Sequence, residues 1–221
     1  MFDFEYVDGI KLDRPYEVCL KSFVTYNNIP NVTPANNEII FIDESIPEQF
    51  QVIIPTGTYE IHELSKLIES DPKIEGYATT VRLNKNTFRV EIMSNIHVDL
   101  QSPHTLGRTL GFSPVILKPR ETHCSDLPVQ LFTVNTIKIQ CNLIKCNVHN
   151  LILRDNTLYE FPLKGEGGEK IVERPITLCY YPVNTDNIYQ LHLRVVDQDN
   201  ELVDFRGEKI TIVLGFQPVK V

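Results

Sequence analysis

The stretch Phe132–Leu143, FTVNTIKIQCNL, carries the clearest fold signal in the chain. From Ile137 onward every second residue is apolar, and the residues between them, Lys138, Gln140 and Asn142, are polar. Successive side chains of a β-strand point to opposite faces, so this alternation is typical of a strand with one apolar and one polar face. The segment is therefore predicted to be a half-buried strand.

A period of two recurs along most of the sequence. The runs that show it are rich in aromatic and β-branched residues and are closed by turn-forming residues. They are Tyr16–Tyr26, Glu38–Ile42, Gln51–Ile54, Ala78–Leu83, Thr87–Met93, Ile176–Tyr181, Ile188–Val196 and Lys209–Phe216. Many short strands at close spacing favour an all-β fold in which two sheets pack face to face.

Helical spacing replaces the period of two after residue 57. Ile61, Leu64 and Ile68 recur at intervals of three and four, and acidic residues fill the first turn, where the helix dipole favours them. Thr58 is the predicted N-cap of this helix. A second, shorter helix is predicted at His104–Leu110. The residues alone thus predict an all-β sandwich of two antiparallel sheets with one or two short helical insertions.

The length fits one large domain or two small ones, and the composition is that of a folded protein. The chain has 221 residues, 42% of them apolar, and no linker or internal repeat divides it. We predict one domain over residues 1–221, in which residues 1–14 are a candidate N-terminal arm. The net charge of -8 argues against a general nucleic-acid binder, because the neutralisation of phosphates needs an excess of Lys and Arg.

The sequence shows no sign of export or membrane insertion. No apolar run approaches the roughly 18–20 residues that cross a bilayer, and the first residues are acidic where a signal peptide is basic. Both observations predict a protein that folds inside a cell.

The five cysteines fit the same compartment, because their number is odd and their spacing irregular. On a strand, Cys141 and Cys146 would point to opposite faces, which suits neither a disulfide nor a shared metal. All five are therefore predicted to be buried, structural thiols: Cys19, Cys124, Cys141, Cys146 and Cys179.

An acidic run contains the residue types of a cation site. Asp197, Asp199 and Glu201 stand at alternate positions, as calcium ligands do in some loops. The run lacks the glycine and the terminal Glu spacing of an EF-hand. Since it lies between two strand-like segments, a turn held by side-chain-to-backbone hydrogen bonds explains it better. The sequence leaves open whether these acids ever bind a cation.

Two other segments contain reactive residue types without the spacing that chemistry needs. Gly165–Gly168 has the glycines of a phosphate loop, but Glu166 lies within it and no Lys-Ser/Thr follows. His123 and Cys124, near Asp126, are neighbours whose side chains point apart on an extended chain. The other histidines are isolated. We therefore predict no catalytic residue, no cofactor and no metal site, and no enzymatic activity.

Aromatic residues alternate with acids at the start of the chain. Phe2, Phe4 and Tyr6 share one face of a predicted strand, and Asp3 and Glu5 share the other. Two interpretations stay open. The segment is either an edge strand of the parent sheet or an arm that adds to the sheet of a neighbouring subunit. Phe2, Phe4 and Tyr6 are the candidate residues for such a subunit interface.

Several motifs, in order along nearly the whole chain, resemble those of a viral protein family. The family comprises the minor capsid (penton) proteins of Polinton/Maverick transposons and their adintovirus relatives. The matching segments are Tyr26–Asn31 (YNNIPN), Ile54–Ile61 (IPTGTYEI), Leu110–Phe112 (LGF), Ser125–Val129 (SDLPV) and Val195–Ile212 (VVDQDNELVDFRGEKITI). The sequence departs from the family pattern at Gly215–Pro218, which is expected to interrupt the last strand.

The resemblance implies a single jelly roll that forms pentamers at the fivefold vertices of an icosahedral virus-like capsid. The implied partners are further copies of the chain and a double-jelly-roll major capsid protein, and the implied location is the virion. An acidic chain suits protein partners better than packaged DNA. The alternative is a vertex spike or fibre, or a host-retained β-sandwich module, that binds protein or glycan.

Overall fold

The computed structural model describes residues 1–46, 48–132, 134–144 and 156–219. The chain divides into two compact units. Unit 1 comprises residues 1–29 and 134–221, and unit 2 comprises residues 30–133. The prediction of one domain over residues 1–221, with residues 1–14 as an arm, stays a prediction.

Strands account for most of the regular structure in the described residues. The helices are α1 (Ile61–Glu69) and a 3-10 helix (Pro72–Ile74). The strands are β1 (Phe2–Lys11), β2 (Tyr16–Tyr26), β3 (Glu38–Ile42), β4 (Gln49–Ile53), β5 (Thr79–Asn84), β6 (Arg89–Ser94), β7 (His97–Asp99), β8 (Ile116–Leu117), β9 (Thr122–Cys124), β10 (Thr136–Cys141), β11 (Thr157–Pro162), β12 (Lys170–Glu173), β13 (Tyr181–Pro182), β14 (Asn187–Val196) and β15 (Thr211–Pro218). The predicted all-β class is confirmed.

Unit 1 contains two antiparallel sheets. Sheet I has the strand order β1-β14-β10-β11. In sheet II, β2 lies at the centre, with β15 along one edge and both β12 and β13 along the other. Along the chain the strands change sheets as they do in a jelly roll: β1 in I, β2 in II, β10 and β11 in I, β12 and β13 in II, β14 in I, β15 in II. The predicted jelly roll is therefore confirmed in unit 1.

The core of unit 1 lies between sheets I and II. Phe23 of β2 is fully buried, and its ring centroid lies 5.5 Å from that of Phe161 on β11. Ile137, Ile139 and Cys141 of β10 are buried in the same cluster, as the alternation of the opening motif predicted. One apolar face of each sheet thus meets the other.

Unit 2 has two sheets of its own, with the orders β4-β3-β7-β8 and β5-β6-β9. Its core includes the apolar face of α1, where Ile61, Leu64 and Ile68 are buried. Sequence reasoning predicted α1 but did not anticipate a second pair of sheets. No helix in the described part of the chain is long and apolar enough to cross a membrane.

The start of α1 differs from the prediction. Glu60, not Thr58, is the N-cap, and its backbone N–H donates to the Glu63 side chain at 2.8 Å. The side chain of Asn31 explains the later start, because its oxygen accepts from the backbone N–H of Tyr59 at 2.9 Å and its amide donates to the Tyr59 carbonyl at 2.7 Å. These two bonds fix the backbone of Tyr59 ahead of the helix, and Glu60 is in an extended conformation.

The prediction of a second helix at His104–Leu110 is wrong. The segment forms turns, and the backbone N–H of Leu106 donates to the carbonyl of Glu38 at the start of β3. A tertiary hydrogen bond therefore replaces a helical one. Gly111, with φ at +87°, closes the segment in a left-handed conformation that a helix cannot continue.

The strand predicted at Ile176–Tyr181 is also wrong over most of its length. Only Tyr181 joins a strand, through its pairing with Val18 of β2. By contrast, the expected interruption at Gly215–Pro218 does not occur, since β15 pairs with β2 as far as Pro218 opposite Tyr16. Pro218 lies at the end of the strand, where its missing N–H costs least.

Candidate interaction surface

The acidic run that follows β14, Asp197–Glu201, forms a turn, as predicted. The Asp197 carboxylate accepts from the backbone N–H groups of Asp199 and Glu201, both at 2.9 Å. The Lys138 ammonium donates to the carbonyl of Gln198 at 3.0 Å. The positively charged Lys138 side chain thus lies against the oxygen atoms of the turn. Within the described residues, no group of three or more His, Cys, Asp or Glu side chains could hold a metal ion.

In the two other segments with reactive residue types, the side chains make local hydrogen bonds. His123 Nε2 lies 3.0 Å from the carbonyl of Lys118. Asp126 accepts from the backbone N–H of Ser113 at 2.9 Å, and this bond holds the pKa of its carboxyl below the usual value. In the glycine segment, the backbone N–H of Glu166 donates to the Glu169 carboxylate at 2.9 Å. A side chain of the same loop therefore occupies this backbone donor.

The cysteines divide between buried and exposed positions. Cys19 and Cys141 are buried free thiols, and burial raises the pKa of Cys141. Cys124 and Cys179 are exposed, so the prediction of buried thiols is wrong for these two. Cys124 ends the edge strand β9, and Cys179 lies in the connection between β12 and β13. Cys146 lies outside the described residues.

Phe2, Phe4 and Tyr6, the candidate interface residues, lie in β1, the edge strand of sheet I. Phe2 is opposite Leu193 and Phe4 is opposite Leu191 of β14. The structure thus places the segment on its own sheet, as the first of the two interpretations predicted. A contact of these residues with a neighbouring subunit stays a prediction.

Polar contacts hold β1 in this position. Asp3 lies across from His192, and its carboxylate oxygen is 2.5 Å from Nδ1 of that ring. The pairing shifts register between Glu5 and Ile10. Both the charged side chains and the irregular register make β1 a poor template for a further strand.

An apolar groove of about 410 Å³ opens between β1 and β15. Phe2, Phe4 and Tyr6 line it from sheet I. Ile212, Leu214 and Phe216 line it from sheet II. Hereafter we call it the β1–β15 groove.

The three residues from β15 point toward the core side of sheet II. Their partners on β2 are Phe23 for Ile212, Leu20 for Leu214 and Val18 for Phe216, and all three partners are buried. Residues directly opposite each other on antiparallel strands share a face. Phe216 nevertheless stays 43% exposed, and Phe4 across the groove is 47% exposed. Core-facing residues of both sheets are therefore uncovered at this edge of the sandwich.

The edge of β15 that borders the groove has no strand partner among the described residues. β15 pairs with β2 along its length, and the pairing occupies only one of its two edges. From Thr211 to Phe216 the strand carries no charged residue. Natural edge strands are usually protected by charge, proline or a bulge. In β15, Pro218 lies at the end of the strand, and the pairing with β2 shifts register between Val213 and Leu214.

A second apolar surface of unit 1 lies in the connection between β12 and β13. Ile176 is fully exposed there, and Leu178 and Cys179 are exposed as well. Residues 174–180 make no backbone hydrogen bond with another described residue. Tyr180, at the far end, is half-buried, and its interaction with the Cys19 side chain raises the pKa of the tyrosine hydroxyl.

Sequence reasoning found one side of the groove and missed the other. The alternation of aromatics with acids drew attention to β1. In β15, Ile212, Leu214 and Phe216 alternate as in any strand that faces a core. The sequence around them does not show that these side chains are partly exposed. The sequence did not reveal the exposure of Ile176 either, because the alternation of residues around it predicted a paired strand.

Comparisons with solved structures give remote likenesses, among them two virus proteins. No protein-family model matches the chain, and no curated protein matches it. The mavirus penton protein is 16% identical, with a TM-score of 0.49, over 99% of this chain and 91% of that one. A chain in the structure of the Sputnik virophage is 14% identical, with a TM-score of 0.42, over 97% and 91%. At these scores the assignment of the jelly roll rests on the strand order of unit 1 itself.

Proposed function

We propose that this chain is a structural minor capsid protein, a penton, that forms pentamers at the fivefold vertices of an icosahedral virus-like capsid. The proposal includes a double-jelly-roll major capsid protein as its partner and the virion as its location. It assigns the chain no enzymatic activity and no cofactor. The resemblance of its sequence motifs to those of Polinton/Maverick and adintovirus penton proteins, together with the jelly-roll strand order of unit 1, supports it.

One observation carries the assembly part of the proposal. Unit 1 exposes two different apolar surfaces, the β1–β15 groove and the loop around Ile176. A ring needs a heterologous contact, in which one surface of a subunit meets a different surface of the next. A two-fold dimer would instead need a single self-complementary surface. Two unlike apolar surfaces on one jelly roll suit a ring.

The test is the native mass of the full chain across a range of concentrations. We expect a five-copy species, and we expect it to associate with a double-jelly-roll major capsid protein supplied in trans. A trimer, or glycan binding without association with the capsid protein, would favour the spike or binding-module alternative. A monomer at every concentration, both alone and with the capsid protein, would contradict the proposed function.

A further inference from the structure

We propose that His192 makes the attachment of β1 to sheet I depend on pH: its protonated ring holds Phe2–Glu5 on β14, and loss of the proton weakens that hold. The inference concerns one strand within unit 1. It goes beyond the proposed function and does not depend on it.

Four side chains on one face of sheet I form a hydrogen-bonded row, which we call the β1 clamp. Asp3 and Glu5 of β1 lie opposite His192 and Gln190 of β14, so all four share a face. An Asp3 carboxylate oxygen is 2.5 Å from Nδ1 of His192, and the side-chain oxygen of Gln190 is 3.2 Å from Nε2. The amide nitrogen of Gln190 donates to the Glu5 carboxylate at 3.5 Å. The β1 clamp thus joins the two strands at two successive positions on this face.

Both ring nitrogens of His192 face an oxygen that can only accept a hydrogen bond. An ionised carboxylate has no proton to donate, and neither has an amide oxygen. A neutral imidazole carries one N–H, so it can donate to only one of the two oxygens. The imidazolium carries two N–H groups and satisfies both. The β1 clamp is therefore complete only when His192 is protonated.

The orientation of the Gln190 amide follows from the same row. Its nitrogen faces Glu5 and its oxygen faces His192. If the amide were turned over, its oxygen would face the Glu5 carboxylate, and two acceptors would meet. Glu5 therefore fixes Gln190 as an acceptor toward the ring.

The neighbouring strands place few other charges beside the ring in the described part of the chain. β10 contributes Asn142, whose side-chain oxygen accepts from the backbone N–H of His192 at 2.8 Å. On β14 itself, the cation two positions along is Arg194, and its guanidinium donates to Gln140 of β10 at 3.3 Å. Asp3 is thus the charged group that directly meets the ring of His192.

Burial contributes little to the attachment of Phe2–Glu5. In β1 every residue except Phe2 and Gly9 is exposed. The pairing with β14 shifts register between Glu5 and Ile10, and Gly9 between them has a φ of +64°. Since few apolar contacts hold this half of the strand, its polar contacts decide how often it opens.

The sign of the pH dependence follows from the donors of the ring. Histidine changes its charge between about pH 5 and pH 8, whereas carboxylates are ordinarily ionised throughout that range. Lowering the pH from about 8 to about 5.5 therefore completes the β1 clamp and holds the strand more firmly. The side chains of His192 and Asp3 are 39% and 50% exposed, so solvent limits the gain to that of an exposed ion pair.

Hydrogen exchange of the full chain, followed by mass spectrometry of the peptides that cover β1, tests the proposal. Labelling times at about pH 5.5 and about pH 8 are scaled for the intrinsic pH dependence of exchange, and the native mass is measured at both. Relative to the amides of β2, those of residues 2–5 should be about 2- to 5-fold better protected at the lower pH.

Substitutions assign the effect to the ring. His192→Gln should abolish the difference between the two pH values, because glutamine does not titrate. Asp3→Asn should reduce it, because the imidazolium then meets no charge. The matched control is His62→Gln, which removes another exposed histidine, paired with Glu60 at 3.0 Å in unit 2. It should leave the difference unchanged.

Two outcomes would overturn the proposal. One is equal protection of residues 2–5 at both pH values. The other is a difference that persists in His192→Gln, because it would then come from another group or from a change in assembly. Either outcome leaves the penton assignment standing, since that assignment is tested by native mass and by association with a capsid protein.

Discussion

Replacing Phe23 with alanine tests whether sheets I and II of unit 1 share one core. Phe23 lies on β2 in sheet II, is fully buried, and packs against Phe161 of sheet I at 5.5 Å and against Phe205 at 6.2 Å between ring centroids. Truncating a fully buried Phe removes its transfer free energy and leaves a cavity. We expect Phe23→Ala to lower the free energy of unfolding by about 3–5 kcal/mol.

The measurement is urea unfolding followed by circular dichroism and tyrosine fluorescence. Tyrosine is the usable fluorophore because the chain has nine Tyr and no Trp. A loss of about 3–5 kcal/mol corresponds to a fall in the melting temperature of about 6–20 °C for a chain of this size. All variants must be compared at one protein concentration, since assembly would shift the midpoint.

Two further variants make the result decisive. Phe132→Ala, at a 65% exposed position, should change stability by less than about 0.5 kcal/mol. In a double-mutant cycle, Phe23 and Phe161 should couple by about 0.5–1.5 kcal/mol, the range for an aromatic pair in contact. If Phe23→Ala costs no more than the exposed control, or the pair shows no coupling, the two sheets do not pack as described.

Two other substitutions or treatments test separate parts of the structure. In the native protein, a maleimide should label the exposed Cys124 and Cys179 quickly. Cys141 should be labelled only after unfolding, because it is buried and burial also raises the pKa of its thiol. Mass spectrometry of the peptides reports each site, and rapid labelling of Cys141 would contradict its place in the core. Gly111→Ala should destabilise the chain by at least about 1 kcal/mol more than Gly76→Ala. Both glycines have positive φ, but only at Gly111 would a Cβ collide with a backbone carbonyl. Equal losses in thermal unfolding would refute that steric argument.

The sequence predicted elements well where the alternation of residues coincides with the alternation of burial. In β10, Ile137, Ile139 and Cys141 are buried and the polar residues between them are not. The apolar spacing of α1 was equally informative, because Ile61, Leu64 and Ile68 form its buried face. In both elements one face is covered by the rest of the unit, so the local pattern and the tertiary environment agree.

The predictions failed where a distant partner decides the local structure. At residues 104–110 the pattern suits a helix, yet Leu106 donates its N–H to Glu38 of another segment. At Ile176–Tyr181 the alternation suits a strand. In the described structure, however, no neighbouring strand pairs with the segment around Ile176, which connects β12 and β13. Propensity describes which conformations a segment tolerates, and pairing selects among them.

The candidate interaction surface could be predicted only in part for the same reason. Whether a core-facing strand is covered depends on how many strands its sheet contains, and that number is not a local property. β15 has the composition of an interior strand and lies at an edge, which leaves Phe216 and its neighbours exposed. β1 is also an edge and its pairing also shifts register, but unlike Thr211–Phe216 of β15 it carries acidic residues that protect it.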